Sequence, residues 1–251
     1  AIVTNKANGM GCVNCHTFLN GDPDRMFFHA RGKGGGTVFA DGENTRLFNL
    51  AQAGPGRQGT YPAWHPDGRY IAFSVNDISQ VFHSTDRNRI EVYDSMSDVV
   101  IYDVERHEVM SSPLLMSEDR FETYPSFSPD GKTLYFCRAV PKTIPENVMD
   151  IRYSFCKVSF DAATGTIGDD VEVLIDAEND SLSVCFPKPS YDGRYVVYTK
   201  AAYGNFSIWH HEADLWLLDL ATGERRRIDE VNSQDTESYH NWSSDSRWIV
   251  F

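Results

Sequence analysis

The chain has 251 residues with a formal net charge of −13 and a pI near 5.0. An excess of carboxylates argues against partners that are themselves polyanions, so nucleic acid and direct insertion into an anionic membrane surface are not expected. No apolar run approaches the length of a membrane span, and the length is enough to bury a large core without a disulfide framework.

Reading from the start, Cys12-Val13-Asn14-Cys15-His16 is the first segment that carries chemistry. C-x-x-C-H is the spacing at which two thiols add to the vinyl groups of a haem while the adjacent imidazole ligates the iron. A dithiol pair or half of a zinc site has the same first four residues. The flanks lack the strand-and-helix context of a thioredoxin motif, and Cys137, Cys156 and Cys185 stand alone rather than as a second pair. The expectation is therefore one covalent haem c on Cys12 and Cys15, with His16 as proximal ligand. Such a group is attached outside the cytoplasm, which predicts a periplasmic or extracellular protein whose targeting segment has been removed.

Asp22-Pro23 resembles a helix start, with aspartate as cap and proline in the first turn. A short helix over Met26-Phe27-Phe28-His29 would set Met26 and His29 on one face. His29 is the expected second iron ligand, with Met26 as the alternative and His65, His83 or His240 as remote ones. Arg31, Lys33 and the run Gly34-Gly35-Gly36 follow. They are expected either to bind the haem propionates by charge and backbone amides or to form a linker.

A hairpin is then predicted from Thr37 to Leu50, followed by four similar segments: Tyr61–Phe73, Tyr124–Phe136, Phe186–Tyr198 and Tyr239–Phe251. Each carries turn residues at its centre, as in Pro66-Asp67-Gly68, and strand formers beyond them, as in Tyr70-Ile71-Ala72-Phe73. Tyr191 and Ser246 replace proline and glycine in the last two copies, which predicts looser turns there. A second hairpin follows each of the first three copies, through residues 98–110, 153–175 and 214–228. Two hairpins per repeat make a four-stranded unit, and repetition at this period predicts an all-β propeller. The expected organisation is a haem-attachment segment over 1–36 and propeller blades over 37–251, as three full blades and two half-blades. The half-blades either pair to close a four-bladed ring or, as preferred, belong to a fragment of a larger ring. Two long connections, Asn76–Arg89 and Ala139–Arg152, are where a binding surface is expected.

The Pro-Asp-Gly repeats over 61–251 resemble those of TolB-type, WD-repeat-like propellers. With Cys12–Thr37 in front, the chain also resembles a group of exported bacterial propeller proteins in which a haem motif precedes such repeats. The resemblance implies export, a covalent haem and a propeller. The expected role is extracytoplasmic electron transfer or redox sensing with a protein redox partner or a larger envelope assembly; the alternative is a non-catalytic binding scaffold with structural or absent haem. No G-x-S-x-G elbow or sialidase Asp-box is present, so the chain reads more as a non-enzyme than as a hydrolase. His210-His211 is expected in a surface loop. Cys137 and Cys156 fall on neighbouring strands and are either a disulfide or two buried thiols.

Overall fold

The computed structural model describes residues 12–31, 36–48, 50 and 59–251. Almost everything regular in it is antiparallel sheet. The first sheet holds β1 (Cys12–Phe18), β2 (Arg25–Arg31), β3 (Gly36–Asp41) and β4 (Asn44–Phe48) in that order. The second holds β5 (Thr60–Trp64), β6 (Tyr70–Phe82), β7 (Ile90–Asp103) and β8 (Glu108–Met110). The third is built from β9 (Phe121–Phe127), β10 (Thr133–Ala139), β11 (Tyr153–Asp161), β12 (Thr166–Ile167) and β13 (Glu172–Ile175), the last two both paired with β11. In the fourth are β14 (Ser183–Pro189), β15 (Tyr195–Ala201), β16 (Asp214–Asp219) and β17 (Arg225–Arg227), and a hairpin of β18 (Asn241–Trp242) and β19 (Ile249–Val250) follows.

Two expectations about the N-terminal part are corrected. The sheet runs across the expected boundary at 36/37, because β2 pairs with β3 from Arg25↔Asp41 to Ala30↔Gly36. The Cys12–His16 motif therefore lies inside the first strand of a sheet, and the hairpin after Thr37 is completed by it. The helix expected over Met26–His29 is strand β2. Asp22 does cap a turn, accepting from Asp24 N through Oδ1 and from Arg25 N through its carbonyl. The apolar run beyond it is buried on both faces: Met26 and Phe28 pack with Val38 and Ala40, while Phe27 packs with Ile71 and Phe73 of the second sheet. Two-sided burial with paired neighbours on each edge suits a central strand.

The sheets pack face to face in sequence order, each interface filled by side chains of period two. Phe27, Trp64, Ile71 and Phe73 lie between the first and second sheets. Tyr70, Phe127, Phe136 and Phe160 lie between the second and third, and Tyr135, Phe155, Val196 and Tyr198 between the third and fourth. The four copies of the repeat share one turn. The backbone amides of His65, Ser128, Ser190 and Ser243 donate to the carbonyls of Tyr70, Thr133, Tyr195 and Trp248 at 2.8–2.9 Å. The aspartate of each turn accepts from the amide two residues on, at 2.8–3.1 Å. Ser246 holds the left-handed conformation of the glycines it replaces (φ 59), so the fourth turn is not looser in its hydrogen bonding.

Phe73 is fully buried and its ring lies 4.8 Å from that of Phe27 across the interface. Phe73→Ala is expected to destabilise the fold by roughly 3–5 kcal/mol, read as a lower urea midpoint at unchanged slope.

Candidate functional site

The inner edge of each of the four larger sheets carries the same irregularity. β1 gains one residue against β2 between Asn14 and Thr17, β5 against β6 between Thr60 and Ala63, β9 against β10 between Thr123 and Ser126, and β14 against β15 between Cys185 and Lys188. A bulge of this kind needs a residue at positive φ. Those residues are Cys15 (52°), Tyr61 (48°), Tyr124 (52°) and Phe186 (52°), and Tyr239 (50°) holds the same place before β18. L-residues rarely adopt this conformation, and here it turns the first strands of four consecutive sheets toward one axis. The rings of Tyr61 and Tyr124 are 4.6 Å apart, those of Tyr124 and Phe186 4.4 Å, and those of Phe186 and Tyr239 5.1 Å. Cys15 lies within electrostatic reach of both Tyr61 and Tyr239.

The C-x-x-C-H motif is thus an altered copy of the repeat, with Cys15-His16 where the others have Tyr61-Pro62, Tyr124-Pro125, Phe186-Pro187 and Tyr239-His240. Cys15 is half-buried at the axis and His16 is exposed, its ring edge-on to Phe18 at 5.9 Å. Cys12 pairs with Arg31 across β1 and β2. The side chains of Cys12 and Arg31, and all of Lys33, lie outside the described residues.

The expected second ligand does not join them. Met26 and His29 were to share a helical face, but on strand β2 they point to opposite faces of the sheet. Met26 is the strand partner of Phe18 and is buried with Val13 and Phe28. His29 pairs with Asn14 and Thr37, is 2% exposed, and has Nδ1 3.4 Å from Thr37 Oγ1. Two of the three remote histidines are buried against backbone carbonyls, and the third, His83, lies half-buried at the tip of the β6–β7 hairpin. His65 bridges to the Gly131 carbonyl at 2.9 Å, and His240 to that of Val197 at 3.0 Å. Burial pushes His240 down to about 4, so it is neutral at physiological pH. Among the described residues no group of three His, Cys, Asp or Glu side chains is arranged to hold a metal ion.

The two thiols expected on neighbouring strands are not a disulfide. Cys137 pairs with Phe155 and Cys156 with Phe136, one register step apart, so they face opposite sides of the sheet and pack into different cores. Both are free and buried, and burial raises both thiols.

The connection Asn76–Arg89 is strand as far as Phe82, and only 83–89 form a loop. It extends the β6–β7 hairpin, paired as far as Phe82↔Ile90, and reaches over to the segment 203–212 of the fourth sheet. The contact is a buried polar cluster with no sequence signal beyond scattered polar residues. Asp94 Oδ2 accepts from Asn76 Nδ2 at 2.8 Å and Asn205 Nδ2 at 2.9 Å. Glu91 accepts from Tyr203 at 2.5 Å and meets His210 Nε2 at 3.1 Å. His210, expected on the surface, is 2% exposed. Adjacent residues on an extended chain point apart, which lets His211 turn outward to Asp235 at 2.8 Å.

This geometry agrees with what the chain is similar to. Over 86% of its length it matches a structure from a study of two prolyl endopeptidases, at 16% identity and a TM-score of 0.54. Over 94% of its length it matches an oligogalacturonate lyase from Vibrio parahaemolyticus, at 13% identity and a TM-score of 0.54. The chain spans 29% and 57% of those two proteins. At such identities the likeness shows the fold alone, and the fold is propeller-like. No protein-family model matches the chain, and no curated protein matches it in sequence.

Among the described residues no cation pairs with Asp94. Burial pushes it up to about 7, the donors Asn76, Ser97 and Asn205 offsetting only part of that rise. The native state therefore keeps a proton that the unfolded chain loses near pH 4, so Asp94 makes stability fall as pH rises from about 4 to 7. Asp94→Asn is expected to remove that fall. Relative to the parent, the variant gains on the order of 2–4 kcal/mol between pH 4 and pH 8, measured by urea unfolding at both.

Proposed function

We propose that the chain is an exported, TolB-like propeller protein, each four-stranded sheet serving as a blade, that carries one covalent haem c and exchanges electrons with a protein partner or reports redox state. The observation that carries this reading is the disposition of the motif. Cys15 and His16 are adjacent on one strand, the first half-buried at the axis and the second exposed, where the other copies of the repeat hold a ring and a proline or a buried histidine. Cys12, three residues earlier on the same strand, would supply the second thioether. His16 would bind the iron, since its imidazole is exposed beside the edge of Phe18.

When bound, the haem supplies one-electron exchange. The protein's own contribution is positional. The bulge turns Cys15 to the axis, and Phe18, beside His16 and itself 39% exposed, offers an apolar surface next to the imidazole. With His29 buried on the other face of β2, this reading assigns His16 alone as an iron ligand. Export follows from the compartment in which such haems are attached; among the described residues no helix is long and apolar enough to cross a membrane.

A second reading is a binding scaffold that uses no haem. It is favoured by His240, which holds the position of His16 in another copy of the repeat and is purely structural there.

One experiment separates the two. The protein, expressed with a cytochrome c maturation system, should keep a Soret band after acid-acetone extraction, and Cys12→Ala/Cys15→Ala should lose it entirely. A parent protein matured in this way with no extraction-resistant band would exclude the haem reading. A double variant that keeps its melting temperature within about 2 °C and its partner binding would favour the scaffold.

A further inference from the structure

The second long connection, Ala139–Arg152, holds chemistry that the haem reading does not use. It is anchored to the fold. Ile144, Val148 and Ile151 pack on the core between the third and fourth sheets, and Asn147 N donates to the Thr143 carbonyl at 2.8 Å. Beside it lies the short helix Ala177–Asp180, capped by Asp176 and ended by Ser181 at positive φ (52°). Ala177 N donates to Ser154 Oγ at 3.0 Å, which ties that helix to the start of β11. The two segments enclose a cavity of about 420 Å³, a volume typical of small-molecule sites. Its walls carry charge of both signs: Lys142 and Arg152, Asp150 and Glu178. Among the described residues none of these four makes an ion pair, although all face one cavity. Elsewhere Arg69, Arg138, Arg194 and Arg227 each hold a carboxylate at 2.8–3.2 Å. Arg152 is half-buried, and its Nε is closed off from water with no acceptor. A guanidinium set there without a counter-charge calls for an anion.

We propose that this cavity binds a small zwitterion, a free α-amino acid, with the carboxylate on Arg152 and Lys142 and the ammonium on Asp150 and Glu178. The mixed charge of the walls decides the class of ligand. A simple anion would satisfy the two cations but bring a third negative charge beside the two carboxylates. A simple cation would do the reverse. A hydroxyl could donate to Asp150 or Glu178 without neutralising either. A molecule that carries both charges meets both pairs at once, and an α-amino acid is the smallest common one. Asn147 and Ser181, which also line the cavity, add an amide and a hydroxyl for further hydrogen bonds. The site shares no residue with Cys12, Cys15 or His16, so it stands or falls independently of the haem.

The test is titration calorimetry of the full chain against each of the common amino acids in turn. At least one should bind with a Kd of about 1 mM or tighter. Its matched amine, lacking the carboxylate, and its matched carboxylic acid, lacking the amine, should each bind at least about tenfold more weakly. Arg152→Ala removes the anchoring cation, and Glu178→Gln removes one negative charge from an exposed side chain without disturbing the core. Each should weaken the amino acid by a similar factor, and Glu178→Gln should do so at an unchanged melting temperature. The inference is overturned if no amino acid binds at that strength. It is equally overturned if one half of the molecule binds as well as the whole, or if the parent and Glu178→Gln bind alike.

Discussion

The fold depends on one backbone constraint, an extra residue at positive φ in the inner strand of each of the four larger sheets. Without it a strand of regular period two would continue straight, and the side chain now aimed at the axis would lie in an intersheet face. With it, Tyr61, Tyr124, Phe186 and Tyr239 meet as a circle, and the sheets behind them are brought close enough for Phe73, Phe136 and Tyr198 to be buried between neighbours. The left-handed conformation costs on the order of 1 kcal/mol at each non-glycine residue, so it persists only because packing around it over-determines it. Aromatic residues supply that packing at four of the five positions. Cys15 adopts the same conformation with a far smaller side chain, and the functional reading grows from that exception.

Around this frame the electrostatics are arranged by repetition. Arg69 follows the glycine of one turn and reaches Asp103 at the end of β7, and Arg194 reaches Asp219 in the same way two sheets on. Burial raises Asp103, but the guanidinium of Arg69 and the amides of Glu105 and Arg106 outweigh it and hold the carboxyl below its ordinary value. The hairpin over the axis breaks the pattern. Its Asp94 sits much deeper in the protein than Asp103 and meets amides and hydroxyls, and its pKa moves the other way. The same residue type thus strengthens one junction at neutral pH and weakens another, according to how far it is removed from water and whether a cation faces it.

Much of this was legible in the residues. The turn chemistry of Pro66-Asp67-Gly68 and its copies marked the repeats, and the strand formers after each turn became β6, β10 and β15. What was missed has physical causes. The first sheet was divided at Thr37 because the segment around Cys15 lacks Pro-Asp-Gly; its turn uses Asn20 and Gly21 at positive φ, a chemistry of another type. The equivalence of Cys15 with Tyr61 was hidden for the same reason. Met26–His29 read as helical because Asp22-Pro23 resembles a helix start; the run itself fits a buried helix turn as well as a central strand, and only the pairing with β1 and β3 decides between them. The cluster of Asp94, Glu91 and His210 left no trace, since its members come from segments more than a hundred residues apart in the chain.

The claim that the first bulge is built to carry a cofactor is tested most directly by intact-mass spectrometry of the protein produced with a cytochrome c maturation system, followed by peptide mapping. The account predicts a chain heavier by one haem, with the added mass confined to the peptide containing Cys12-Val13-Asn14-Cys15-His16. A chain of unmodified mass, with both cysteines recovered as ordinary residues under those conditions, would contradict it.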